Sequence, residues 1–425
     1  MSNANNLMLN TTKTRFHTGL MGLLLLVTTM MLCVFTCASA AWADDETLLE
    51  FTAEDGNTYS YSKDGTSATI RGIAALANTD CVLPSTINDL RVTAIAENAF
   101  EGQDRVTTLV IPDSVVTVGQ IAFAGMTSLV SAHWPETYVG IFPDSVFWGC
   151  TSLTDINIPD GITQLGGWCF YNCSSLETVT IPESLTSIGK YCFMCDNENE
   201  SSSLKSVKFS GTPAVTSMGN YAFKNCGELT DIEVPSTLKM LGVEVFRNCK
   251  SVERLVMPSG VVSIPDKTFK GCSSLRELVF AGNVRELQKQ AIAYCPSLER
   301  VVFLGDVTSI TLLGDPFSNT FKTTIYTYPE YSGALSEYVK EVNEEESGEE
   351  GTYELAIGDV NDILSELTDI STGTQKVSTP VTPTNATTAK TTSGSLNVPI
   401  IVIACLLAFC VGAGAVFFAM RRKGR

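Results

Sequence analysis

The sequence predicts an α/β repeat solenoid, a stack of coils of about 23 residues with one short parallel strand per coil. Three observations carry that reading. A large apolar residue recurs at Phe100, Phe123, Phe147, Phe170, Phe193, Phe223, Phe246, Phe269, Ile292 and Phe317. Proline, glycine and cysteine fall at fixed offsets from it, as at Pro159, Gly166 and Cys173. Between the cysteine and the proline the chain alternates apolar and polar residues, as in Leu176, Val179 and Ile181.

Each part of the repeat has a physical reason. Alternating β-branched residues favour an extended strand. Pro112, Pro159, Pro182, Pro235 and Pro258 end that strand at one place per coil, because proline has no N–H for the ladder. A second short extended piece comes next, such as Ile162 to Leu165. Gly119, Gly166, Gly189, Gly219 and Gly242 then bend the chain. The Ala-Phe segment is expected to form a short helix or 3₁₀ turn. One coil cannot bury its own apolar face, so stability comes from stacking neighbours.

The residues Ile158-Pro159, Ile188-Gly189, Ala222-Phe223, Asn225-Cys226 and Ser274-Leu275, with their copies, resemble the leucine-rich repeat class. Within it they are similar to the BspA-like cell-surface repeats. The resemblance covers about Leu83 to Tyr328. It implies a leucine-rich-repeat array on a surface protein that binds matrix or partner proteins.

The remaining segments are ordered around the array. Residues 1–43 read as a signal peptide, with Lys13 and Arg15 ahead of an apolar run and small residues after it. Residues 44–80 read as a small β cap, because Phe51, Tyr59 and Tyr61 alternate with polar residues between Asp-Gly turns. The solenoid is assigned to residues 81–330, with extra residues near Asn88-Asp89 in its first coil and an insertion after Cys195. Residues 331–370 are acidic and read as a linker. Residues 371–397 form a Ser/Thr/Pro-rich stalk. Residues 398–420 are a continuous apolar run long enough for a single transmembrane helix, and 421–425 a basic cytoplasmic tail. The expected location is a cell membrane, single-pass, with the array extracellular. The tether between array and span reaches on the order of 200 Å when fully extended.

Composition narrows function. The net charge is −18, and the terminal bases sit in the tail, so nucleic acid is not an expected partner. The chain has two histidines, His17 in the signal segment and His133 on a predicted strand. With a single histidine in the array, on a predicted strand, a His-based triad is all but excluded. There is no P-loop or dinucleotide fingerprint. The expectation is a protein that is not an enzyme and needs no cofactor. Cys169, Cys173, Cys192 and Cys195 have spacings that a four-thiolate zinc site uses, but three of them occupy ordinary repeat slots, so buried thiols are expected and no metal.

Two faces are candidates for binding. Strand residues between the buried ones point to the open, concave face: Asp155, Asn157, Asp231, Glu233, Arg254, Glu277 and Arg300, with an apolar row at Val256, Val279 and Val302. Trp148 and Tyr171 share the slot after Phe, while Trp168, Tyr191 and Tyr221 share the slot two before it, giving an aromatic patch on another face. Ordinary strand formers and corner padding explain the same residues, and the sequence does not choose between the faces. Asn199 and Asn385 are acceptors if the host glycosylates. The expected function is adhesin-like display, binding extracellular matrix or cell-surface proteins or glycans. The alternative is a structural coat that self-associates.

Overall fold

The computed structural model describes residues 48–196, 202–320, 322–345 and 355–368. The signal segment, Asn199, the stalk with Asn385, the apolar run 398–420 and the tail lie outside the described residues. Among the described residues, no helix is long and apolar enough to cross a membrane.

The array is a β-solenoid. Each coil supplies two short parallel strands, and most pair with the same strand of the next coil, with breaks such as those after Asp231–Ile232 and Met240–Leu241. In one sheet Arg254 faces Glu277 and Glu277 faces Arg300; in the other Gln164 faces Ser187 and Ser187 faces Ser217. The expected helix or 3₁₀ turn at Ala-Phe is absent from the described coils, so the α/β class is corrected to all-β coils. Backbone hydrogen bonding is the reason. Around each Phe, alternate N–H groups donate along the stack instead of within a helix. Trp168, Phe170 and Asn172 donate to Lys190, Cys192 and Met194 at 2.8, 2.9 and 2.9 Å, and the pattern repeats from Tyr221, Phe223 and Asn225.

This third ladder requires left-handed backbone two residues either side of Phe. Trp168 and Asn172 have φ of 55° and 57°, and Glu244 and Asn248 have 56° and 60°. The left-handed position after Phe is met by Gly or Asn, which tolerate that region, except for Tyr294 in the Ile292 coil. The position before it ranges from Asn98, Ser145 and Asp315 to Ile121, Trp168 and Tyr191, held there by the ladder.

Phe rings line up in one interior column. Phe147–Phe170, Phe170–Phe193, Phe193–Phe223 and Phe223–Phe246 have centroids 5.8, 5.4, 5.2 and 5.7 Å apart and are near parallel. The ladder cysteines serve this column. Cys173, Cys226, Cys249 and Cys272 each donate Sγ–H at 3.2 Å to the Phe carbonyl of the coil before. The repeat glycines allow close approach of coils: a Cβ on Gly189 would lie 2.5 Å from the Gly166 carbonyl carbon.

Both ends of the column are closed by tyrosine. The N-terminal cap is the expected meander, with strands Leu49–Thr52, Thr58–Lys63 and Ser67–Ala75, and its Tyr59 meets Phe100 edge-on at 6.4 Å. The extra residues of the first coil make a hairpin turn, with Asn88 and Asp89 at φ 48° and 64°. Cys81 is buried there and accepts from Asn57 Nδ2 at 3.5 Å. At the other end, helix α1 (Gly333–Glu345) places Tyr338 6.0 Å from Phe317, with its hydroxyl donating to Asp315 at 2.6 Å. A final strand, Leu355–Asp359, adds in parallel to Thr323–Thr327. Part of the acidic segment read as linker is therefore folded cap, because Leu335, Val339, Val342 and Leu355 supply apolar contacts to the core.

The ten cysteines of the described residues are buried. Burial pushes the Cys150 and Cys295 thiols up to about 12. Alkylation at pH 8 is expected to leave all ten unlabelled in the native protein and to label them after denaturation; peptide mass spectrometry reads both states. Phe223→Ala is expected to cost about 3–5 kcal/mol, seen as a lowered urea midpoint, because the cavity opens inside the column.

Candidate functional site

The strand face divides into an open part and a closed part. Asp155 and Asp231 are exposed, and Glu233 is half-buried. Asn157 is committed to the scaffold: its Oδ1 accepts from the Trp134 N–H at 2.9 Å and its Nδ2 donates to the Trp134 carbonyl at 3.0 Å. Ser206 donates to Asp231 at 3.1 Å.

The closed part corrects the expectation of an exposed apolar row. After the last strand come a single 3₁₀ turn (Val360–Asp362) and the short helix α2 (Leu364–Thr368). Val360, Ile363 and Leu367 form one buried cluster with Val279, Val302 and Leu304, with Val256, Tyr326 and Tyr328 packed against it. The segment covers its own array because those three apolar residues share one side of an otherwise acidic stretch. Its polar side is tied down as well, with Arg300 donating to Glu366.

Arg254, Glu277 and Arg300 thus become a structural ladder. Glu277 is only 4 % exposed and lies between Arg254, which donates to its Oε1, and Arg300, 2.9 Å from its Oε2. Burial opposes charge on Arg300, but Glu366 and Glu277 outweigh it and raise its pKa. Gly358 makes the closure possible: a Cβ there would sit 2.6 Å from Tyr326 Cε1.

The aromatic slots do come together. Trp168 and Tyr191 stack at 5.0 Å, and Tyr191 and Tyr221 at 4.6 Å. In the neighbouring column Trp148 and Tyr171 stack at 6.4 Å, and Trp148 is 44 % exposed. Inner ring faces are occupied by the stack. Lys190 Nζ lies 4.2 Å over Trp168, and Lys224 Nζ 5.1 Å over Tyr221. The patch offers ring edges and the outer face of Trp148.

Sequence reasoning missed the charged residues that continue these two slots. The slot after Phe runs on from Tyr171 and Met194 into Lys224, Arg247 and Lys270, and the slot two before Phe runs on from Tyr221 into Glu244 and Lys267. Glu244 is 7 % exposed and gathers three cations, Lys224 at 3.1 Å, Arg247 at 2.9 Å and Lys267 at 3.5 Å. Burial opposes its ionisation, yet Arg247 and Lys224 hold the carboxyl below its ordinary range. The signal was available as a change of residue type along a fixed slot.

The repeat has a counterpart among known families. The family described as BspA type leucine rich repeat region matches residues 93–200 and 195–322, in six copies. The chain belongs to the BspA-type leucine-rich repeat family. No curated protein matches it. Among solved structures it is similar to a leucine rich cell surface protein from Faecalibacterium prausnitzii A2-165, at 21 % identity and a TM-score of 0.45, covering 74 % of this chain and 96 % of that one. It is also similar to a leucine-rich repeat protein from Bacteroides ovatus, at 19 % identity and a TM-score of 0.41, covering 72 % and 99 %. A third, the leucine rich repeat protein of T. pallidum, is 23 % identical with a TM-score of 0.30, covering 72 % and 100 %. In this BspA-type chain the repeat slots that do not build the column are the ones free to vary, and they carry the aromatic and cationic ladders.

Gly358→Ala is expected to loosen the closing segment without unfolding the array. Hydrogen exchange at Leu355–Asp359 is expected to speed up, with new binding of a hydrophobic dye at Val279 and Val302.

Proposed function

We propose that the chain is a cell-surface display protein that binds extracellular protein or glycan partners through the aromatic face of its array. In this reading the signal segment 1–43 exports it, the run 398–420 anchors it once in a membrane, and the stalk 371–397 holds the array away from the surface. Trp148, Tyr171, Trp168, Tyr191 and Tyr221 make the contact. The observation that carries the reading is the stacking of these five rings in two half-exposed ladders. Side chains fixed before binding lose little freedom on binding, and aromatic anchors dominate interface energetics. The open part of the strand face lacks such anchors, and its apolar part is already covered by the chain itself. The family membership agrees with a binding role rather than a catalytic one.

The test is retention of the purified protein on host cells and matrix preparations. Trp148→Ala with Tyr171→Ala is expected to weaken retention about tenfold or more, the loss of one hot-spot contact. Asp155→Ala with Asp231→Ala is expected to leave it unchanged. Equal effects from both pairs would refute the assignment.

A further inference from the structure

The cationic continuation of the aromatic ladders stands out against the charge of the chain. The whole protein carries −18, yet Lys224, Arg247, Lys250, Lys267, Lys270 and Lys289 gather on the turns of four successive coils. The anions among these turns are Glu228, Glu244 and Asp266. Glu244 is buried beneath the cations, and Asp266 Oδ1 accepts from the backbone N–H of Lys289 at 3.1 Å. Cations outnumber anions six to three.

The heads are also held in place. Glu244 fixes Lys224, Arg247 and Lys267 from below. Lys270 donates to Gln290 at 2.9 Å and lies 4.6 Å over Tyr294. Burial, and after it repulsion from Arg247 and Lys267, lowers the affinity of Lys270 for its proton. An incoming anion relieves that repulsion.

We infer that this strip binds an acidic polysaccharide, a polymer carrying regularly spaced carboxylates or sulfates, along the ladder Lys224–Arg247–Lys270. The choice of polymer rests on the features absent from the strip. A folded protein partner needs a desolvated apolar core in its interface, and the strip is charged and polar. Single-stranded nucleic acid needs open ring faces for base stacking, whereas the neighbouring rings are stacked on each other and topped by Lys190 and Lys224, and Tyr294 is topped by Lys270. A glycan chain needs neither. It asks for repeated cations at a regular spacing, which one residue per coil supplies at roughly the ~4.8 Å strand spacing. This deepens the display reading by naming a ligand class, and its strip runs on from the Tyr221 coil, which Lys224 shares.

The experiment uses the purified full-length chain and immobilised polymers: alginate for carboxylates, heparin for sulfates, dextran as the neutral control, and poly-glutamate and oligo-thymidylate as the other anions. Binding to alginate or heparin but not dextran is expected, falling as salt rises because the contacts are charge-based. Lys224→Gln with Lys270→Gln is expected to weaken it about tenfold or more, as for loss of two charge pairs at an interface. Lys205→Gln with Lys239→Gln changes net charge equally at other exposed sites and is expected to leave binding within about twofold. Lys289→Gln, exposed and away from Glu244, gives a milder loss in a variant that keeps the ion cluster, and circular dichroism checks the fold of each. Trp148→Ala with Tyr171→Ala is expected to keep polysaccharide binding even where it abolishes cell retention, so the two proposals fail separately. No retention on either glycan, equal loss in both lysine pairs, or tighter binding of poly-glutamate or oligo-thymidylate would overturn the inference.

Discussion

Everything in this molecule depends on like groups stacking at the distance between parallel strands. A backbone ladder sets that distance, and it runs through the turns as well as the two sheets. Because the ladder passes on either side of Phe, each ring is delivered parallel to the ring of the coil before. Dispersion and burial then reward the same register that the hydrogen bonds demand. The placement of glycine and cysteine has the same origin. Glycine stands where neighbouring backbones would otherwise collide, as at Gly189. The cysteine thiol is a small apolar body with one weak donor, matched to a Phe carbonyl left facing the core.

A stack of this kind creates two ends and several long faces. The ends are closed by unrelated elements that use one device, a tyrosine against the terminal Phe. Tyr59 does so from a meander and Tyr338 from a helix, and each hydroxyl donates to a carboxylate, Asp55 and Asp315 respectively. The faces differ because the slots that point outward are released from the packing rule. One face is partly sealed by the chain's own C-terminal segment, and another presents rings that give way to cations.

The period, the phenylalanine column and the N-terminal meander were legible because each is written in side-chain type at fixed spacing. The left-handed turns were not. Asn172, Asn225 and Asn248 hinted at them, but Trp168 and Tyr191 at the partner position carry no such signature, since it is the ladder and not the residue that imposes the conformation. The covered part of the strand face was also illegible. Its lid hides Val360, Ile363 and Leu367 in a stretch whose composition is acidic, and average composition says little when three residues make the contact. Of the candidate residues, the five aromatics stack in two ladders, whereas Arg254, Glu277 and Arg300 are tied to one another.

The step between Phe193 and Phe223 is seven residues longer than its neighbours, yet those two rings are 5.2 Å apart and within 10° of parallel. The added length leaves the spacing of the column unchanged. A coil of this array therefore behaves as a mounting point, where chain length and chemistry can change while the rod beneath keeps its pitch. Foreign peptides spliced between Asp196 and Ser202 would ride on an unchanged frame, which makes the protein a natural chassis for presenting epitopes.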